Sequence, residues 1–132
     1  MTHRQNISSG TIWEDLAGYS RAVRIGRLVF VSGTTATDAA GALVGPNDAY
    51  AQTTFIIKKI DSALQEAGAG LRDVVRTRIF VADISQWQEV ARAHAEFFRD
   101  IRPANTLVEV SALIGEGYLV EIEADAVLQD SA

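Results

Sequence analysis

The chain has 132 residues, a net charge of −5 and no cysteine. That length allows one domain with a real core, and the missing thiols exclude disulfides, a cysteine nucleophile and any thiolate metal site. The acidic balance without a Lys/Arg run argues against a counterion-displacing grip on nucleic acid, although Arg21, Arg24 and Arg27 could form a local basic face. No apolar run approaches the ~20 residues of a membrane span, and the first ten residues hold no signal-peptide core. A cytoplasmic protein with no membrane partner is therefore expected, with residues 1–132 as a single domain.

Residues 1–16 mix polar, Gly and aromatic positions without a period, and are expected to form an arm or short edge strand with Trp13 and Leu16 packed inward. Ala22-Val23-Arg24-Ile25 and Leu28-Val29-Phe30-Val31 flank Gly26-Arg27, the pattern of a two-residue hairpin. The second of these strands runs into Ser32-Gly33-Thr34-Thr35, where Gly marks a bulge or a close approach to the backbone. Residues 38–47 carry the breakers Gly41, Gly45 and Pro46 and read as a loop, with Asn47 able to cap a helix. Phe55, Ile56, Ile60, Ala63, Leu64 and Ala67 keep helical spacing up to Gly68, a natural left-handed stop.

Residues 74–81 are β-branched and alternate with Arg76 and Arg78, so they predict a strand. Ser85 to Gln88 matches a capping box, and Trp87, Val90, Ala91, His94, Phe97 and Phe98 then share a helical face. Residues 106–113 and 119–128 complete the order β-β-α-β-α-β-β. The fold class is α+β: a single mixed sheet with two amphipathic helices on one face. In the last strand Val120, Ile122, Ala124 and Ala126 should meet the helices, leaving Glu121, Glu123 and Asp125 on the other side. Residues 106–113 have apolar side chains in both registers, so the open face should be covered by another subunit.

The three acids suit a solvated strand face; their functional reading is a partly buried general base at a subunit seam, and no metal spacing is present. His94 fits a hydrogen-bonded core histidine, and His3 lies too far away in sequence to suggest a zinc pair. Ser32-Gly33 reads as a turn or as a backbone pocket for a ligand.

Residues across 17–128 resemble the Rid family, also called YjgF or endoribonuclease L-PSP. The matching features are Tyr19, Val29-Phe30-Val31-Ser32-Gly33, Gln52, Ala67-Gly68, Asp73-Val74-Val75-Arg76-Thr77, Phe97-Phe98, Pro103-Ala104, Val108-Glu109-Val110 and Glu121-Ile122-Glu123-Ala124. The resemblance implies a chorismate-mutase-like fold, a homotrimer with small-molecule clefts between subunits, and no cofactor. By position it implies catalytic roles for Glu121, which would orient water, and Tyr19. It implies substrate binding by Ser32, Gly33, Asn105 and its neighbours Thr106 and Arg102.

Asn105 stands where the family's deaminases carry an arginine that clamps the substrate carboxylate. Asn cannot supply a cationic fork, and a charge-assisted bond is worth about 1.5–3 kcal/mol, so ~100-fold in binding or rate is at stake. Arg102 and Arg21 are the cations that could substitute. Lys59 and Ala91 also depart from the pattern, where Asn is common. The expected function is hydrolysis of an imine, an enamine or a related C–N bond in a substrate other than the usual 2-imino acids. The alternatives are a non-catalytic ligand-binding or regulatory protein and, third, an endoribonuclease.

Overall fold

Period-two alternation decides the layering. In β6 (Val120–Val127) the side chains of Val120, Ile122, Ala124 and Ala126 are buried, whereas Glu121, Glu123 and Asp125 are only partly so. The same alternation runs through β4 (Val74–Val81), where Thr77, Ile79 and Val81 are buried. The computed structural model describes residues 3–129. Its remaining elements are β1 (Arg4–Ile7), α1 (Ile12–Ala17), β2 (Ala22–Ile25), β3 (Leu28–Thr34), α2 (Ala49–Glu66), α3 (Trp87–Phe98) and β5 (Ala104–Glu109). One six-stranded sheet has the order β1-β2-β3-β6-β4-β5, with β4 and β5 parallel and every other pair antiparallel.

α2 lays Ile56, Ile57, Ile60, Ala63 and Leu64 on the sheet, and α3 adds Val90, Ala93 and Phe98. The predicted hairpin forms with Ile25 opposite Leu28, and Gly26 takes the left-handed conformation its turn requires (φ 59°). α2 ends at Ala67 with Gly68 at φ 85°, as expected.

Four local expectations are corrected. Residues 12–17 form a helix, and Trp13 and Leu16 are 54% and 70% exposed instead of packed; α1 buries only Glu14, whose carboxylate accepts from the backbone and hydroxyl of Ser9. The edge strand is residues 4–7, paired with β2. Ser85 lies inside a short 3₁₀ turn that Asp83 caps, and Gln86 at the start of α3 makes no side-chain cap, so the capping box does not form. Asp48, one residue beyond Asn47, caps α2 by accepting from the Ala51 N–H, while Asn47 itself is left-handed (φ 60°). The fifth strand occupies residues 104–109 instead of 106–113, because β4 ends at Val81 and its carbonyl takes the last bond, from Val110 N–H.

Gln52 is fully buried and ties three backbone groups of two separate loops. Its Nε2 donates to the carbonyls of Gly45 (3.1 Å) and Gly117 (3.0 Å), and its Oε1 accepts from the N–H of Leu119 (2.9 Å). Gln52→Leu strands all three inside the protein. The expected loss is about 3 kcal/mol or more, read as a lower denaturant midpoint at unchanged slope; a loss under ~1 kcal/mol would mean that the loops find other partners.

Candidate functional site

The bulge at the end of β3 and the start of β6 build one constellation. β3 and β6 keep register from Leu28 to Val31 and regain it at Thr34, so Ser32 and Gly33 form the irregular step. Thr34 Oγ1 donates to the Ser32 carbonyl (2.8 Å), and Ser32 Oγ donates to the Ser20 carbonyl (2.7 Å). The hydroxyl of Ser32 therefore anchors the bulge to the segment before β2. A Cβ on Gly33 would overlap Glu121 Oε2, so any larger residue here would push the Glu121 carboxylate out of its place. Both sequence readings of Gly33, a bulge and a close approach, hold together.

Glu121 is half-buried on the sheet face away from the helices. Burial pushes its carboxyl above the ordinary range and Glu123 adds to the rise, while the charge of Arg21 opposes it. Arg21 is fixed by Nη2 donating to the Gly33 carbonyl at 2.6 Å. Tyr19, two residues earlier, is largely exposed, and its backbone N–H donates to the Glu14 carbonyl (3.1 Å). Of the three arginines that might have shared a basic face, Arg24 donates to the Ala67 carbonyl and Arg27 to the Leu128 carbonyl. Each of the three serves a different backbone carbonyl.

Asn105 belongs to a second group. Its register opposite Thr77 turns it toward the helix side, where Nδ2 donates to Thr77 Oγ1 (2.9 Å). Thr77 Oγ1 in turn pairs with His94 Nε2 (2.9 Å), and His94 lies over the Phe98 ring (4.6 Å between centroids). His94 is thus the satisfied, partly buried histidine expected, its pKa lowered by burial. Arg102 is exposed on the turn before β5, in a left-handed conformation (φ 57°). Thr106 is opposite Arg78, on the same side as Glu121.

The two groups do not meet within one chain. Glu121 is opposite Phe80, which is opposite Val108. Asn105 is therefore two strands across, roughly 10 Å, three residues along, a further ~10 Å, and on the other face of the sheet.

Lys59, one of the departures from the family pattern, reaches inward: its Nζ donates to the carbonyls of Thr35 and Thr37, both at 2.9 Å. Burial first, then the charge of Arg21, hold its pKa down to about 8. The available signal was its position within the Phe55, Ile56, Ile60, Ala63 stripe, where a lysine must reach inward. Among the described residues no group of His, Asp and Glu could hold a metal ion, and no helix is long and apolar enough to cross a membrane.

The family model described as endoribonuclease L-PSP matches residues 12–128. The chain is 38% identical to an uncharacterized protein of Streptomyces coelicolor, over 92% of this chain and 90% of that one. It is 34% identical to the 3-aminoacrylate deaminase RutC of Acinetobacter baylyi, over 84% and 87% of the two chains. Its fold is similar to a solved Mycobacterium tuberculosis member of the YjgF/YER057c/UK114 family (TM-score 0.87, 52% identity, 96% of this chain and 100% of that one).

Proposed function

The chain belongs to the endoribonuclease L-PSP family, also called Rid or YjgF, and from that premise we propose that it hydrolyses an imine, an enamine or a related C–N bond in a small molecule held between subunits. The observation that carries this reading is the half-buried Glu121 carboxylate lying against the glycine bulge, with Arg21 beside it. Glu121 takes a proton from water as the oxygen adds to the imine carbon, and returns it to the nitrogen. Glu121 next carries the proton of the new hydroxyl to the nitrogen, and the C–N bond breaks to leave a carbonyl and an amine or ammonia. Tyr19 and the backbone around Ser32 and Gly33 border the substrate. An enamine reaches the same path after protonation at carbon, and the RutC relative is named for such a substrate.

The cleft needs a second copy. Asn105 and Glu121 of one chain are too far apart to touch one small molecule, so Asn105, with Thr106 and Arg102, comes from a neighbour in a homotrimer. The open sheet face supports that assembly: Ile25, Leu28, Phe30 and Val108 are exposed, and Arg78 bridges Glu123 (3.3 Å) and Asp125 (3.1 Å) among them.

Asn105 offers an amide where a carboxylate clamp would need a cation, so the substrate presents a neutral polar group there. The test is decay of 2-imino acids generated in situ by an amino-acid oxidase, with a neutral enamine alongside. The wild type is expected to be slow on the acids, and Asn105→Arg faster on them by roughly 10- to 100-fold. No acceleration of any substrate by either protein, with saturable ligand binding, would overturn hydrolysis in favour of a binding or regulatory protein. That second reading draws on the amide of Asn105 being tied into the chain through Thr77. Ribonuclease action finds little support, because Arg21, Arg24 and Arg27 are each engaged by a backbone carbonyl and His94 by Thr77.

A further inference from the structure

Behind the bulge, on the side of α2, Arg21 and Lys59 line a hollow of about 150 Å³ together with Ile7, Ser8, Ser62 and Ala63. None of Glu121, Ser32, Gly33 or Tyr19 borders it; the hollow shares only Arg21 with the residues around Glu121. Two cations share this part of the molecule, and each is near enough to feel the other's charge. Among the described residues neither makes an ion pair with a carboxylate. Arg21 Nε is buried and finds no hydrogen-bond partner in the chain. Lys59 spends two of its three N–H groups on the Thr35 and Thr37 carbonyls and keeps the third. Glu14 and Glu121 act on Arg21 and Asp38 acts on Lys59 only through space, without a direct pair, and a buried donor left unmade costs more than its bond returns.

We infer that this hollow is a binding site for a small carboxylate, held by Arg21 and Lys59. An oxyanion answers both unmet needs at once, by neutralising the pair and accepting from their free N–H groups. Buried Ile7 and Ala63 suit a short hydrocarbon tail. Glu66, the one acid in the lining, is exposed and disfavours a dianion, so the class is a monocarboxylate of a few carbons instead of a phosphate. The inference goes beyond the hydrolysis proposed above and does not depend on it.

Calorimetric titration of the full chain with acetate, propionate, pyruvate and phosphate tests it, with thermal unfolding alongside. Saturable binding of a monocarboxylate and a rise in Tm are expected. Lys59→Asn keeps a donor for the loop carbonyls and removes the charge; it and Arg21→Gln should each weaken binding about tenfold or more. Glu121→Gln should not weaken binding, since Glu121 does not line the hollow and the loss of its charge leaves Arg21 freer to hold an anion. In the wild type, affinity should fall as pH rises above about 8, because Lys59 loses its proton while Arg21 stays charged. The acids near Lys59 are Asp38, whose charge reaches it, and Glu66, which lines the hollow with it. The assignment is overturned if no carboxylate binds by ~10 mM, if phosphate binds more tightly than every carboxylate, or if both cation variants bind as the wild type does. Loss of binding in Glu121→Gln equal to that in Arg21→Gln would relocate the ligand to the Glu121 cleft and also overturn it.

Discussion

Glu121→Gln is expected to cut C–N hydrolysis by about 10²–10⁴-fold while fold and assembly stay intact. The amide keeps the size and the place beside Gly33 but cannot accept a proton from water. The base must be ionised to work, so kcat/KM of the wild type should rise with pH through the Glu121 pKa. That rise should fall above the ordinary carboxylate range, because burial disfavours the charged form. Arg21 pulls the other way by stabilising the carboxylate, so Arg21→Gln should move the acidic limb to still higher pH. Hydrolysis retained in Glu121→Gln, or an acidic limb indifferent to Arg21, would remove Glu121 from the mechanism.

Phe30→Asp is expected to convert the assembly to monomers and to abolish hydrolysis with it. Phe30 is 45% exposed on the open sheet face, opposite Asp125 in register, and takes no part in the core. Covering a phenylalanine is worth about 1.5–3 kcal/mol, and a carboxylate trapped in its place, next to Asp125, costs several more in each subunit. The monomer should keep its secondary structure, since the substitution touches nothing between sheet and helices. Light scattering with circular dichroism reads both results. A variant that remains assembled would place the interface elsewhere. A folded monomer with full activity would show that Glu121 does not need a neighbour's Asn105.

The fold and the candidate site were legible to different depths. Alternation along residues 120–127 set which side of β6 is buried, and that local pattern needs no partner to be read. Gly26 and Gly68 announced their turns because only glycine adopts those angles cheaply. Local signals failed where two readings compete within a few residues. Ser85 matches a cap by spacing, yet Asp83 reaches the turn first. Trp13 and Leu16 are apolar, yet the six residues of α1 have no surface against which to bury them.

By itself the sequence determined the layers of this protein, the faces of its helices and the glycine turns at Gly26 and Gly68, because each follows from periods and backbone angles within a short stretch. Only the tertiary structure decided that Arg21 stands with Glu121 and Lys59, and that Asn105 turns to Thr77 and His94 on the other face. Those neighbours are set by strand register and helix placement between segments tens of residues apart, and no pattern along the chain encodes such distances.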